Sequence, residues 1–92
     1  MDKQFIGVDI GTSACKAAAF DEDGTVLAQA NRPYPVSYPA AGWAEQDPDD
    51  WWEAAQAALR DALRQGGADP EILCGVGVDG QSWSAVAVDE KG

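Results

Sequence analysis

Short apolar segments separated by tight turns dominate the start of the chain and constrain its fold most strongly. Residues 5–10 form an apolar run that Gly11 stops. Residues 15–21 and 25–30 form two more runs, and they flank an acidic turn that ends at Gly24. An Asp-Gly turn between apolar segments is typical of a β-hairpin. The pattern therefore predicts an antiparallel meander of three strands.

A single helix is expected after an extended stretch at residues 31–47, which prolines punctuate. Asp47 can cap the helix start and Pro48 suits the first helical position. The helix should run to about Arg64 and stop at the glycine pair 66–67. One face carries apolar side chains, which predicts packing on the sheet: Trp51, Ala55, Ala58, Leu59 and Ala62.

The sequence after the helix predicts two more strands. The apolar run at residues 72–79 follows a helix, so it is expected to lie parallel to the first strand. Residues 83–88 alternate apolar and small side chains in the manner of a fifth strand. Residues 89–92 resemble a hairpin turn whose returning strand is missing, so we expect these 92 residues to be cut from a longer chain. The fold class is α/β with a mixed sheet.

Composition excludes several functions. The net charge is −10, so a nucleic acid would be repelled rather than attracted. The chain contains no histidine, which removes histidine-based catalysis, and its two cysteines form no CxxC pair. The start lacks a signal segment and no apolar run is long enough to span a membrane. We expect a soluble protein of the reducing cytoplasm, without nucleic-acid or membrane partners.

The turn after the first strand carries the residue types that a phosphate site needs. Gly11 lets the backbone approach a ligand closely, and Thr12 and Ser13 add hydroxyl groups beside the turn amides. Asp9 would face a phosphate only through Mg²⁺ or its bound water, and Lys16 could neutralise further charge. The alternative is a polar strand-end turn with a solvated lysine. The spacing of a Walker A motif is absent.

Two segments carry a family resemblance. Residues 9–13, the lysine at 16 and the hairpin that follows are similar to the first phosphate-binding hairpin of the sugar kinase and actin superfamily. Residues 42–52, with the sequence GWAEQDPDDWW, closely resemble a stretch of the xylulokinase-like members of the FGGY carbohydrate kinases. The resemblance implies the ribonuclease H-like, actin-like ATPase fold, with residues 1–92 as the N-terminal part of its first domain.

A third segment, residues 75–84, is similar to the strand and loop that present sugar-contacting residues in this family. By that resemblance Gln81, Ser82 and Trp83 contact the substrate, with Trp83 stacked on a sugar face. Xylulokinases typically have Met-His after the Gly-Gln pair, and glycerol kinases have Arg-Glu at these positions. Ser82 and Trp83 match neither, which puts xylulose in doubt. The alternative for Trp83 is an ordinary buried aromatic residue at a strand start.

The resemblance implies transfer of the γ-phosphoryl group of ATP, with Mg²⁺, to a hydroxyl of a pentose, ketose or related polyol. Asp9 would hold the metal through water, and Gly11, Thr12, Ser13 and Lys16 would support the phosphates. The family's general-base aspartate has no match here and is expected beyond these residues, so this chain should be inactive alone.

Two other functions remain open from the sequence. One is a non-catalytic phosphate- or nucleotide-binding module of the same superfamily, and the other is an interaction domain that uses its tryptophans. The resemblance leaves a homodimer open for the parent protein. A sheet without its neighbouring strands exposes hydrogen-bonding edges, so the isolated chain is expected to self-associate.

Overall fold

The computed structural model describes residues 3–65 and 67–92. A mixed four-stranded sheet is covered on one face by one α-helix, which confirms the α/β class. The elements, in chain order, are β1 (Gln4–Ile10), β2 (Ala14–Asp21), β3 (Val26–Pro33), α1 (Pro48–Arg64), a 3₁₀ turn (Pro70–Ile72) and β4 (Leu73–Gly80).

The sheet has the strand order β3-β2-β1-β4. The first three strands form the expected antiparallel meander, and β4 lies parallel to β1, as predicted from the intervening helix. In the β2–β3 turn the Asp21 carboxylate accepts hydrogen bonds from the amides of Asp23 and Thr25, each at 2.9 Å. Gly24 has a φ of 84°, which a side chain would disfavour. The acidic turn is therefore built from local side-chain chemistry.

Helix α1 begins where its capping residues predict. The Asp47 carboxylate accepts from the amide of Asp49 at 2.9 Å, and Pro48 is the first helical residue. The helix ends at Arg64, and Gln65 is the cap in an extended conformation. The expected stop at the glycine pair is only partly testable, because residue 66 lies outside the described residues. The side chain of Gln65 accepts from the backbone N–H of Gln29 on β3 and donates to the backbone carbonyl of the same residue.

Small side chains form the interface between the helix and the sheet. Side chains alternate along each strand, so one set faces α1 and the other faces away. Alanine dominates on both sides, which lets the helix lie close to the sheet but buries little area per residue. The buried residues are Ile6, Val8, Cys15, Ala17, Ala19, Ala28, Tyr34, Ala54, Ala55, Ala58 and Ala62, and Trp51 and Leu59 pack against them as predicted.

The helix covers only part of its face of the sheet. It packs on β2 and β3 and touches β1 at the margin. On the same face, Val76 and Val78 of β4 are exposed even though β4 is hydrogen-bonded to β1. The sheet therefore has a covered half and an uncovered apolar edge.

Two predictions about strands are wrong. Strand β3 extends three residues beyond Ala30, because its pairing with β2 continues to Pro33. Residues 83–88 form no strand, since β4 is the edge of the sheet and no neighbour among residues 3–65 and 67–92 pairs with them. Trp83 is fully exposed, so it is not a buried aromatic residue. No helix in the described parts of the chain is long and apolar enough to cross a membrane.

Candidate functional site

The turn between β1 and β2 is held by its carbonyl oxygens. The Tyr34 hydroxyl donates to the carbonyl of Gly11, and the amide of Tyr34 donates to the carbonyl of Ser13 at 3.1 Å. The Gln46 side chain donates to the carbonyl of Thr12 at 2.7 Å. Burial first, and then the charges of nearby Cys15 and Asp9, raise the pKa of Tyr34, so its hydroxyl stays a donor at neutral pH.

Fixing these carbonyls also fixes the amides of the turn. A carbonyl and the next N–H belong to one planar trans peptide and point in opposite directions. The bonds to Gly11 and Thr12 therefore hold the N–H groups of Thr12 and Ser13 away from Tyr34 and Gln46. Neither amide bonds another group of the described residues. Two fixed donors with two exposed hydroxyls beside them can bind the oxygens of an anion.

Three charged residues form a row across the sheet beside this turn. Asp9 of β1 pairs in register with Lys16 of β2 on one side and with Asp79 of β4 on the other. All three line a groove of about 470 Å³ on the face opposite α1. The row places a cation, which can offset phosphate charge, beside two adjacent carboxylates, which are the ligand type that Mg²⁺ takes.

Asp79 is the neighbour of Asp9 in the register of β1 and β4. A hydrogen bond with Asp9, and then the charge of Asp9, raise the pKa of Asp79 above its ordinary value of 3.8. Magnesium is typically held by one or two carboxylates together with waters and substrate phosphates. No larger group of metal-ligating residues occurs in residues 3–65 and 67–92. The pair therefore fits Mg²⁺ that is bound jointly with a phosphate ligand.

Asp79 is a candidate residue that the sequence reasoning missed. The signal was available, because β1 and β4 both contain the tripeptide Gly-Val-Asp, at residues 7–9 and 77–79. Parallel strands in register place matching residues side by side, and these two tripeptides pair one to one.

A second cleft, of about 290 Å³, lies next to the turn at the end of β4. The side-chain oxygen of Gln46, Oε1, accepts from the indole N–H of Trp51 at 3.1 Å and from the side-chain amide of Gln81 at 2.9 Å. The amide of Gln81 donates to the carbonyl of Ile10 at 2.9 Å, so β4 is fixed to the end of β1. Trp83 borders this cleft with a φ of 64°, an uncommon conformation for a bulky side chain.

Most of the residues predicted from the sequence come together. A space of about 420 Å³ is lined by all five predicted phosphate-side residues and by one from the substrate side: Asp9, Gly11, Thr12, Ser13, Lys16 and Gln81. Thr12 and Gln81 also line the second cleft, so the two spaces share these residues, and Trp83 borders only the second. Ser82 is exposed beside them and lines neither space.

Comparison with known proteins identifies the family. The family model described as "FGGY family of carbohydrate kinases, N-terminal domain" matches residues 4–92. The chain belongs to the FGGY family of carbohydrate kinases. Its N-terminal-domain match and the actin-like ATPase fold of its structural neighbours confirm the resemblance found in the sequence.

Named relatives differ in their acceptor. A glycerol kinase from Methylorubrum extorquens is 37% identical over 84 residues, which is 91% of this chain and 17% of that protein. The structure of a xylulose kinase from Rhodospirillum rubrum matches with a TM-score of 0.86 and 36% identity, over 98% of this chain and 18% of that one. A gluconate kinase structure from Lactobacillus acidophilus matches with a TM-score of 0.76 and 27% identity, over 88% and 16%. The chain thus spans less than a fifth of the length of these relatives.

Proposed function

We propose that this chain is the N-terminal part of an ATP-dependent kinase that phosphorylates a hydroxyl of a sugar or polyol. The observation that carries the proposal is that two neighbouring spaces share Thr12 and Gln81, one beside the donors of the turn and one beside Trp83. Membership of the FGGY family supplies the reaction class. The chain covers less than a fifth of the length of these relatives, so the proposed activity is that of a longer protein.

The phosphate side of the site binds and neutralises charge. The fixed amides of Thr12 and Ser13, with their hydroxyls, donate to phosphate oxygens, and Lys16 offsets negative charge nearby. Positioning and charge stabilisation provide most of the catalysis in phosphoryl transfer. The turn therefore needs rigidity more than reactive side chains.

Asp9 and Asp79 would hold Mg²⁺, Asp9 through a bound water. When bound, the metal neutralises charge on the phosphates as the phosphoryl group is transferred. Because the net charge is −10, a local cation beside Lys16 would help to attract a nucleotide. The general base would come from a part of the protein beyond these residues, so the 92-residue chain would not turn over substrate.

Gln81 and Trp83 would form the acceptor side of the site, with Ser82 exposed beside them. Gln81 offers amide groups for hydroxyls, and the exposed indole of Trp83 offers an apolar face on which a sugar ring or carbon chain can stack. Relatives named as glycerol, xylulose and gluconate kinases make each of these three acceptors a candidate.

The test is ATP consumption by the purified 92-residue chain and by a longer gene product that contains it. Glycerol, D-xylulose, gluconate and a panel of other pentoses, hexoses and polyols serve as acceptors, and intact mass identifies each protein. We expect acceptor-dependent turnover in the longer protein and none at 9.7 kDa. Turnover by the short chain would contradict the assignment of the general base to another segment, and no turnover by either would contradict the kinase proposal.

A further inference from the structure

The side chain of Gln46 connects three elements that the proposed function uses. Its amide nitrogen donates to the carbonyl of Thr12 at 2.7 Å. Its oxygen accepts from Trp51 on α1 at 3.1 Å and from Gln81 at the end of β4 at 2.9 Å. Gln46 lies in the loop before α1 and is only partly exposed. One side chain therefore contacts the helix, the phosphate turn and the acceptor side of the site.

These partners fit the Gln46 amide in one orientation only. An indole N–H can only donate, and a backbone carbonyl can only accept. Turning the amide over would place its NH₂ group against the indole of Trp51 and its oxygen against the carbonyl of Thr12, so both bonds would be lost. Trp51 therefore sets which end of Gln46 faces the turn.

We propose that Gln46 is a positioning residue that sets the phosphate turn and the acceptor side relative to each other. The inference rests on the proposed function and adds a role for a residue that touches neither reacting group. The bond to the carbonyl of Thr12 fixes the peptide that continues to Ser13, and so it aims the Ser13 amide. The bond from Gln81 leaves that side chain one N–H and its oxygen for an acceptor hydroxyl, in a fixed plane.

Two substitutions separate the bond that Gln46 donates to Thr12 from the bonds that it accepts from Trp51 and Gln81. In Gln46→Glu the carboxylate still accepts from Trp51 and Gln81 but has no proton to donate to Thr12. In Gln46→Met a neutral side chain of similar length makes none of the three bonds. Gln56→Glu is the matched control, because it makes the same chemical change on α1, where the side-chain amide donates to the carbonyl of Trp52 at 3.4 Å and bonds no other group of residues 3–65 and 67–92.

The experiment measures KM for ATP, KM for the acceptor and kcat in the longer protein, with the acceptor identified from the panel above. We expect Gln46→Met to raise both KM values about tenfold, and Gln46→Glu to raise KM for ATP about tenfold but KM for the acceptor less than about twofold. Because Gln46→Met is neutral, a rise in its KM for ATP cannot come from added negative charge. Gln56→Glu should match wild type.

A second readout does not depend on turnover. The indole N–H of Trp51, assigned in ¹⁵N-labelled longer protein with a Trp51→Phe variant, should exchange slowly in wild type and in Gln46→Glu but rapidly in Gln46→Met. This pattern tests the Gln46 contacts without turnover, so a failure of the proposed function, with no acceptor turned over, is distinguished from a failure of the contacts. Unchanged exchange in Gln46→Met overturns the inference. The inference is also overturned if both KM values of Gln46→Met stay within about twofold of wild type, or if its only change is a kcat that falls in proportion to the folded fraction.

Discussion

The covered half of the sheet and its open edge differ in how their side chains are packed. Strands β2 and β3 lie beneath α1, and their inward side chains are buried. Strand β4 pairs with β1 just as fully in its backbone, but Val78 is 66% exposed while its neighbour in register, Val8, is 6% exposed. Beyond β4, residues 83–88 have a strand-like sequence and no strand.

The difference shows that backbone pairing and burial are separate requirements. The covered half has local signals, such as a turn, a helix cap and a helix face, that all agree with its packing. The open edge has apolar side chains that nothing in the described residues covers. The contribution of this open edge to the free energy of unfolding should therefore be small.

The largest effect is expected where the loop after α1 meets β3. A Cβ at Gly67 would lie 2.9 Å from the backbone carbonyl carbon of Leu27 and would overlap its oxygen. Gly67→Ala should therefore lower the free energy of unfolding by about 3 kcal/mol, as overpacking against backbone does. Urea unfolding followed by tryptophan fluorescence measures this.

Gly77→Ala on β4 is the matched control, because nothing lies within 4 Å of a Cβ at that position. Its free energy of unfolding should stay within about 0.5 kcal/mol of wild type. Equal losses for the two alanine variants would show that the edge is as tightly packed as the covered half.

An intermediate effect is expected from the paired valines. Val8→Ala removes two buried methyl groups and should cost about 2 kcal/mol, whereas Val78→Ala should cost less than about 0.5 kcal/mol. The residue type, sheet face and register are the same, so only burial differs. Denaturant midpoints of the two variants give the comparison, and a large loss for Val78→Ala in the 92-residue chain would mean that self-association covers the edge.

The smallest effect concerns the carboxylates where the two regions meet. The raised pKa of Asp79 means that the folded chain binds its proton more tightly than the unfolded chain does. Stability should therefore fall as pH rises from the ordinary pKa of 3.8 through the raised value, and the deficit should persist at neutral pH.

Asp79→Asn removes this titration, so the fall in stability between about pH 4 and pH 7 should become shallower. Urea midpoints across that range provide the measurement, with Asp23→Asn in the exposed β2–β3 turn as the control. An unchanged slope in Asp79→Asn would show that the two carboxylates do not interact.

The sequence predicted the elements whose signals are local. Helix α1 was predicted from its cap and its apolar face, and the meander from its Asp-Gly turn. The predicted strand at residues 83–88 failed because alternation specifies a strand only where a neighbour supplies hydrogen bonds. The extension of β3 to Pro33 follows from pairing with β2, which no local pattern shows.

For the site, the sequence indicated the residues of the phosphate turn but not their supports. Asp9, Thr12 and Lys16 lie in one stretch, so a motif could reveal them. Asp79 and Gln46 are brought to the turn by parallel pairing and by a long loop, and their roles depend on contacts across more than 30 residues of sequence. The repeated Gly-Val-Asp of β1 and β4 hints at Asp79, but the strand pairing and the hydrogen bonds of Gln46 are needed to connect both residues to the turn.

The proposed function requires that the end of β1 bind the metal and phosphates of a nucleotide. The most direct measurement is kcat/KM for ATP in the longer protein with Asp9→Asn, beside Asp23→Asn as the control, both checked by circular dichroism. We expect Asp9→Asn to lose at least about 100-fold while Asp23→Asn keeps wild-type activity. A folded Asp9→Asn protein with kcat/KM within about threefold of wild type would contradict the claim.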